Sequence, residues 1–185
     1  MQNKKELRSK ILTRRRDLTK QQIRQKSDII CGKVLSLAAY KKADCVMAFA
    51  SMPDEVQTKH IMEDVLLKGK QLCLPYIVNI KEGLMRAAVV SSLSALVLGK
   101  AGILSVPETE LHFVEPEQIS LVIVPGVAFT KDGYRLGMGG GFYDRFLPKA
   151  PNAVKIGIGF SVQQVASVPV DKYDFPLDKV ITENS

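Results

Sequence analysis

The stretch from Ser120 to Asp144 reads SLVIVPGVAFTKDGYRLGMGGGFYD, and it contains two signals in succession. Its first five residues form an apolar run, which is typical of a strand buried on both faces of a parallel sheet. Four glycines then occupy positions within 137–141, and a short helix is predicted from about Phe142 to Leu147. A strand, a turn and a helix in this order form one unit of an alternating α/β chain.

Two predicted helices occupy the N-terminal part of the chain. The first ends near Asp17, and the second begins at a capping box in which Thr19 and Gln22 satisfy free backbone amides. Apolar residues recur at helical spacing in both helices: Leu7, Ile11 and Leu12 in the first, and Ile23, Ile30, Val34 and Ala38 in the second.

Strands and helices alternate along the rest of the chain. Apolar runs predict strands over residues 44–50, 71–76, 84–90 and 154–159, in addition to 120–124. A third helix is capped by Thr58 and ended by Gly69, and short helices are predicted over residues 92–100 and 162–165. This order predicts a single three-layer α/β/α domain over residues 1–185, with a mainly parallel sheet covered by helices on both faces.

Composition places the chain among ordinary globular proteins, with 46% hydrophobic and 24% charged residues in 185. No apolar run has the length of a bilayer span, and the polar first ten residues lack the core of a secretion signal, so we expect a cytoplasmic protein. Three scattered cysteines and two histidines argue against a disulfide framework and a conventional zinc site, and favour buried, reduced thiols.

The net charge of +7 is concentrated at the N-terminus, where residues 1–42 hold 13 basic against 3 acidic side chains. Such a basic segment is compatible with a nucleic-acid face, with the binding edge for a polyanionic ligand, or with a solvated helical surface. On charge alone the solvated surface is favoured, because these helices show neither interleaved aromatic residues nor a nucleic-acid-binding motif.

The glycine-rich stretch is the strongest candidate for a functional site. Glycines let backbone amides approach phosphate oxygens closely, Arg135 can bind phosphate through its guanidinium, and Asp144 can hold Mg²⁺. The stretch is not a dinucleotide fingerprint, because residue 142 is Phe, and no Gly-Lys pair in the chain continues as a Walker A loop. Glycine content alone leaves open a flexible surface loop.

Residues 135–145, RLGMGGGFYDR, closely resemble the signature of the 5-formyltetrahydrofolate cyclo-ligase family. The resemblance extends along the chain in the family's order. It includes KKELR at 4–8, FASMPDE at 49–55, the strand and Pro-Gly turn at 119–130, and PLDKVITE at 176–183.

The resemblance implies an enzyme that converts 5-formyltetrahydrofolate to 5,10-methenyltetrahydrofolate, using ATP and Mg²⁺ and releasing ADP and phosphate. ATP would phosphorylate the formyl oxygen, and N10 of the folate would then close the ring. Such phosphoryl transfer depends on positioning and charge neutralisation more than on a protein nucleophile. The implied partner is 5-formyltetrahydrofolate, with or without a polyglutamate tail; we expect a monomer that binds neither nucleic acid nor a membrane.

The resemblance also implies roles for individual residues. Arg135, Gly140 and Asp144 would be catalytic, and Asp144 and Asp178 would bind Mg²⁺. The ATP-binding set would be Lys4, Lys5, Glu6, Leu7, Arg8, Arg135, Leu136, Gly137, Met138, Gly139, Gly140, Gly141, Phe142 and Tyr143. The folate-binding set would be Ala50, Met52, Glu55, Gly139, Gly140, Gly141 and Phe142, with Glu55 accepting hydrogen bonds from the pterin.

Three points remain open at this stage. Some family members carry basic residues where this chain has Met138 and Gly140, so Lys4, Arg8 and Arg135, together with Mg²⁺, would have to supply the positive charge. Another C-terminal carboxylate could replace Asp178 at the metal. The alternative functions are another ATP- or phosphosugar-using α/β enzyme and a nucleic-acid-binding protein.

Overall fold

A seven-stranded sheet organises the fold in the computed structural model, which describes residues 3–185. The strands of the protein are β1 (Cys45–Met47), β2 (Gln71–Asn79), β3 (Leu84–Val89), β4 (Val97–Leu98), β5 (Leu104–Ser105), β6 (Phe113–Val114), β7 (Leu121–Val124), β8 (Ala128–Phe129), β9 (Arg135–Leu136), β10 (Val154–Ile158) and β11 (Lys179–Ile181). The α-helices are α1 (Lys4–Arg16), α2 (Lys20–Ser36), α3 (Ala38–Lys42), α4 (Lys59–Leu67) and α5 (Phe142–Phe146).

The strand order in the main sheet is β11-β10-β7-β1-β2-β3-β6. The five strands from β11 to β2 are parallel, whereas β3 and β6 add antiparallel pairs at one edge. The remaining strands form two separate antiparallel pairs, β4 with β5 and β8 with β9. The prediction of a mainly parallel sheet is confirmed.

Alternate residues of the central strands face opposite sides of the sheet, as the pleat requires. Val46, Leu72 and Leu121 lie in the core shared with α2, α3 and α4, while Met47 and Val122 face the opposite core. Full burial of each such side chain contributes roughly 1.5–3 kcal/mol, which makes this double-sided core the main source of stability. The predicted three layers are therefore present.

The second face of the sheet is covered differently from the first. Its core receives Phe146 from the five-residue α5 and Phe129 from β8, in place of long helices. Helix α1 packs through Leu7 and Ile11 on the β8–β9 pair, against residues that include Val127. Shorter elements on this face leave room for a cavity.

The predicted helix boundaries near the N-terminus are confirmed. Asp17 is the C-cap of α1, and the capping box has both of its hydrogen bonds, from the Gln22 amide to the Thr19 hydroxyl (3.2 Å) and from the Thr19 amide to the Gln22 side chain (2.9 Å). The three cysteines, Cys31, Cys45 and Cys73, are buried and free, as their spacing predicted.

Several predicted boundaries need correction. The helix over residues 92–100 is wrong: Leu93–Ala95 is a single 3₁₀ turn and the next apolar residues form β4, because pairing with β5 outweighs their local helix preference. Ala38 is exposed and begins α3, since Leu37 is extended and ends α2. Strand β1 stops at Met47, although the Ala48 amide still donates to the Cys73 carbonyl oxygen of β2 (2.9 Å), and residues 49–50 lie beyond the strand.

The third predicted helix, α4, is present with one change at its start. Thr58 holds the N-cap position, but its hydroxyl donates to the Phe49 carbonyl oxygen (2.5 Å) instead of capping the helix. Gly69 ends the helix region with a φ of 67°, a left-handed conformation that favours glycine. No helix within residues 3–185 combines the length and apolar character needed to cross a membrane.

The order of the strands creates a crevice at one edge of the sheet. From β1 the chain moves outward to β2 and β3, and it later returns to place β7 on the other side of β1. Loops that follow β1 and β7 therefore leave the carboxyl edge in opposite directions. In open α/β sheets, ligands bind at such a switch point.

Candidate functional site

A cavity of about 1210 Å³ opens at this switch point. Its wall includes the loop after β1, the Pro125–Val127 turn after β7, one face of α1, the glycine-rich loop and residues 171–175. The volume exceeds that of a typical small-molecule pocket and suits two ligands held side by side.

Most of the predicted site residues line this one cavity. They are Lys4, Arg8, Ala50, Met52, Glu55, Arg135, Leu136, Gly137, Met138, Gly139, Gly140, Gly141, Phe142, Tyr143 and Asp144. Four predicted residues lie outside its wall: Lys5 and Glu6 on the exposed side of α1, Leu7 in the core beneath that helix, and Asp178. Residues more than 80 positions apart in the chain thus meet at one crevice.

The glycine-rich loop needs its glycines for two separate reasons. Gly139 and Gly141 have φ values of 108° and 66°, which side-chain-bearing residues rarely adopt. A Cβ on Gly140 would lie 2.6 Å from the Phe142 ring, and one on Gly137 would lie 2.8 Å from the Arg135 guanidinium. Backbone is therefore exposed to the cavity where side chains would otherwise project.

The amides of this loop are available to a ligand. Within residues 3–185, the N–H groups of Gly139, Gly140 and Gly141 donate to no backbone or side-chain acceptor. Three consecutive free amides on the wall of a cavity form a donor surface for anionic oxygens. This arrangement is compatible with the phosphate-cradle interpretation.

Arg135 and Asp144 form the charged centre of the loop. Arg135 lies on β9 with 4% of its side chain exposed, and its Nη2 donates to Asp144 Oδ1 at 2.9 Å. Burial lowers the pKa of the Arg135 guanidinium, and the Asp144 charge opposes that shift. The ion pair therefore keeps a buried cation in place beside the glycines.

Two polar atoms next to this ion pair have no partner. Arg135 Nε and the Tyr143 hydroxyl are buried, and neither makes a hydrogen bond within the described chain. The guanidinium lies 5.4 Å from the centre of the Tyr143 ring, and burial raises the pKa of Tyr143, which therefore keeps its proton. Buried donors without acceptors are rare, and at a cavity wall they are free to donate to a bound ligand or to water.

Helix α1 brings two cations to the same cavity. Arg8 Nε donates to the Gly137 carbonyl oxygen at 3.0 Å, which ties the glycine-rich loop to the helix. The Lys4 ammonium lies 2.7 Å from both Asp171 and Asp174. Burial tends to lower the pKa of Lys4, but the two carboxylates outweigh it and raise that pKa above its ordinary value.

The loop after β1 supplies a carboxylate to the opposite wall. Glu55 Oε2 accepts a hydrogen bond from the Met52 amide at 2.9 Å, and its Oε1 lies 3.6 Å from Arg15 Nη1. Burial raises the pKa of Glu55, while the Met52 amide and the Arg15 charge act against that rise. Ala50 and the half-exposed Met52 provide apolar surface beside it.

The aspartates considered as metal ligands divide into two groups by position. Asp144, Asp171 and Asp174 lie in the cavity wall. Asp178 is exposed and accepts a hydrogen bond from the Lys155 amide (2.7 Å), near the amino end of β10 and away from the carboxyl edge. The structure therefore does not bring Asp178 together with Asp144. Within the described residues, no three potential metal-ligating side chains form a group.

Sequence reasoning missed two arginines of the cavity wall. Arg15 is buried between Asp54 and Glu55, although the basic composition around it suggested a solvated surface. Arg8 follows Lys4 by four residues, and Arg15 follows Arg8 by seven. These spacings place all three side chains on one face of the helix, which is the signal that could have revealed Arg15. Arg145 donates to the Gly140 carbonyl oxygen at 3.1 Å and so supports the loop.

The chain was compared with known families, proteins and structures. Residues 1–183 match the family model described as the 5-formyltetrahydrofolate cyclo-ligase family. The chain belongs to this family. The resemblance seen in its motifs is thereby confirmed over almost the whole sequence.

Individual relatives agree with this membership. A 5-formyltetrahydrofolate cyclo-ligase of Escherichia coli is 31% identical over 175 residues, covering 93% of this chain and 96% of the relative. The solved 5,10-methenyltetrahydrofolate synthetase of Aquifex aeolicus is 34% identical with a TM-score of 0.85, covering 98% of this chain and 90% of that structure. The synthetase of Mycoplasma pneumoniae is 25% identical with a TM-score of 0.79, covering 98% and 99%.

Proposed function

We propose that this protein converts 5-formyltetrahydrofolate to 5,10-methenyltetrahydrofolate in an ATP-dependent reaction that releases ADP and phosphate. The observation that carries the proposal is one cavity with two unlike walls. One wall has free amides and two unpartnered buried donors, Arg135 Nε and the Tyr143 hydroxyl, and the other has a carboxylate beside apolar surface. Family membership supports a formylated folate and a nucleotide as the two ligands that such walls would hold.

The reaction needs activation of a poor leaving group. The formyl oxygen takes the γ-phosphoryl group of ATP, and ADP leaves. N10 then attacks the formyl carbon to close the five-membered ring, N10 loses its proton, and expulsion of phosphate forms the methenyl product. The phosphoryl transfer requires close alignment of two ligands, which a single cavity provides, and the ring closure then takes place within the bound folate.

The nucleotide side of the cavity is assigned to the glycine-rich loop and to α1. The amides of residues 139–141 and the donors of Arg135 and Tyr143 would bind phosphate oxygens. Arg8 holds the loop and faces Gly139, and Lys4 contributes charge from the first turn of α1. Lys5, Glu6 and Leu7 act as parts of that helix, with Leu7 anchoring it.

Mg²⁺ fits the carboxylates of the cavity wall. Asp144 is held by Arg135 through Oδ1 only, and Asp174 lies in the same wall, so these two residues would bind the ion. When bound, Mg²⁺ neutralises charge on the phosphates. We assign the C-terminal ligand to Asp174 rather than Asp178, because Asp178 lies outside the cavity.

The folate side is assigned to the loop after β1. Glu55 would accept hydrogen bonds from the amino and ring N–H groups of the pterin, and Ala50 and Met52 would contact its ring. Residues 139–142 would lie between the nucleotide and the formyl group, with Gly140 at the reacting centre.

The proposal is tested by following the methenyl chromophore spectroscopically after mixing the protein with 5-formyltetrahydrofolate, ATP and Mg²⁺. We expect product only when all components are present, with one ADP and one phosphate released per product. Reactions without ATP, without Mg²⁺ or with a non-hydrolysable ATP analogue are the controls. Folded protein that forms no ATP-dependent product would contradict the proposed function.

A further inference from the structure

Arg15 is a buried cation in the wall of the cavity that nothing in the glycine-rich motif explains. Only 3% of its side chain is exposed. Its Nε and Nη2 both donate to Asp54 Oδ2, at 3.1 and 2.9 Å, and its Nη1 lies 3.6 Å from Glu55 Oε1. A buried guanidinium is kept in one orientation because any other would leave its charge unpaired.

Helix α1 connects this cation to the nucleotide side. Lys4, Arg8 and Arg15 lie on the same helical face, and Arg15 is about 16 Å along the axis from Lys4 at 1.5 Å per residue. Arg8 contacts the glycine-rich loop, and Arg15 contacts the loop that carries Glu55. One rigid element thus contacts both walls of the cavity.

The chemistry of Glu55 shows what Arg15 does there. An amino group and a neighbouring ring N–H present two donors, so a carboxyl group matches them fully only when it is ionised and offers two acceptor oxygens. Burial raises the pKa of Glu55, and the Asp54 charge raises it further. Tyr143, which faces Glu55 from α5, keeps its proton and brings no positive charge. Among these neighbours, Arg15 is the side chain that favours the ionised form.

We propose that Arg15 is a positioning residue for the folate: its guanidinium fixes the 52–55 loop and holds Glu55 as an ionised, two-oxygen acceptor. The role rests on the proposed function. Arg15 acts through Glu55 and does not touch the reacting atoms.

The chain offers well-matched variants for a test. Arg15→Gln removes the charge, Arg15→Lys keeps it, and Asp54→Asn removes the neighbouring negative charge. Arg14→Gln and Arg16→Gln make the same charge change at exposed positions on either side, where residues 3–185 provide no ion-pair partner. Each variant is compared by KM for both substrates, by pH profile and by melting temperature.

We expect Arg15→Gln to raise KM for 5-formyltetrahydrofolate about 10- to 100-fold, the range expected for a weakened charge-assisted hydrogen bond, and to change KM for ATP less than about twofold. The acid limb of kcat/KM for the folate should move to higher pH, since Glu55 then loses its counter-charge. Asp54→Asn should move that limb to lower pH, and Arg15→Lys should largely restore the wild-type profile.

A structural role alone would change both KM values together, or neither, with no opposite pH shifts; that result would overturn the inference. Carboxyl ¹³C NMR of glutamate-labelled protein, with Glu55→Gln for assignment, measures the titration of Glu55 directly. If wild-type protein lacks turnover, the proposed function fails, and this titration still decides the role of Arg15. A Glu55 titration that is unchanged in folded Arg15→Gln protein, or that shifts as far in Arg15→Lys as in Arg15→Gln, would refute it.

Discussion

The two walls of the cavity differ in how far their polar groups are satisfied. The wall proposed to bind the nucleotide, here the nucleotide wall, consists of the glycine-rich loop and its neighbours. Its Arg135 Nε, Tyr143 hydroxyl and amides of residues 139–141 have no acceptors in the described chain. The wall proposed to bind the folate, here the folate wall, is the loop after β1. There Glu55 already accepts a hydrogen bond from the Met52 amide and lies beside Arg15, which is itself paired with Asp54. The first wall has donors left over for a ligand, whereas the second is already paired within the protein.

This difference has an energetic consequence. An unpartnered buried donor costs the free protein about 1–3 kcal/mol, which a ligand oxygen recovers on binding. A preorganised wall loses little conformational entropy on binding but must keep its charges balanced. Changes on the nucleotide wall should therefore mainly affect ATP use, and changes on the folate wall should affect pH dependence and folate affinity.

The largest effect is expected for Asp144→Asn. The amide keeps the shape of the side chain but cannot offer Mg²⁺ a charged oxygen, and it leaves the Arg135 cation without its counter-ion. We expect turnover to fall roughly 100-fold or more, in the range found when one charge-stabilising group of an active site is removed. Steady-state kinetics across a Mg²⁺ titration measures it.

Melting temperature separates this loss from unfolding, because protein that remains folded at the assay temperature retains its other activities, such as folate binding. If unfolding accounts for the whole loss of turnover in Asp144→Asn, the metal assignment is wrong.

A pair of C-terminal variants sharpens the assignment of the second metal ligand. Asp174→Asn should raise the Mg²⁺ concentration needed for half-maximal rate by about 10-fold, the lower end of the effect of losing a charged contact. Asp178→Asn should leave that concentration unchanged, because Asp178 binds the Lys155 amide outside the cavity. The opposite ranking in a Mg²⁺ titration would return the role to Asp178.

Glycine substitutions test whether the nucleotide wall depends on backbone geometry. Gly141→Ala places a side chain at a φ of 66° and against the Arg145 guanidinium, so we expect KM for ATP to rise about 10-fold with a stability loss of about 1–2 kcal/mol. Gly32→Ala is the control, because a Cβ there meets nothing within 4 Å and sits in helix α2. It should raise stability by up to about 1 kcal/mol, as alanine does in helices.

Calorimetric unfolding and ATP kinetics measure both glycine variants. Equal effects of Gly141→Ala and Gly32→Ala on KM for ATP would show that the conformation of the glycine-rich loop has no part in nucleotide binding.

The sequence predicted the nucleotide wall better than the folate wall. Arg135, the glycines and Asp144 are contiguous, so a local pattern contains nearly the whole cradle. The folate wall depends on Arg15 and Glu55, which are 40 positions apart and meet only because α1 packs beside the loop after β1. Helical spacing could have placed Arg15 on the face of Lys4 and Arg8, but its partners Asp54 and Glu55 lie on a distant loop that this spacing does not reveal.

The same distinction explains the errors in the fold. Strands with apolar runs, such as β7 and β10, and the capping box before α2 were predictable because their determinants are local. The β4 strand depends on pairing with β5, and local preference predicted a helix there instead. The position of Asp178 depends on its contact with the distant Lys155 amide, which no local pattern reveals. Tertiary pairing supplied the missing information in both cases.

The smallest expected effect is a pH-dependent change in stability at Glu55. Since its folded-state pKa is raised above the ordinary value, the folded protein favours the protonated form more than the unfolded chain does. The stabilisation by that proton is fully present below the unfolded pKa and is lost as pH rises through the folded pKa.

At neutral pH the ionised Glu55 therefore lowers the stability of the ligand-free protein, and Glu55→Gln should raise its melting temperature slightly while it weakens folate binding. The gain should disappear in acid, which melting curves over a pH series would show. A variant that is less stable than wild type at neutral pH and equally so in acid would mean that contacts of Glu55, and not its charge, dominate this wall.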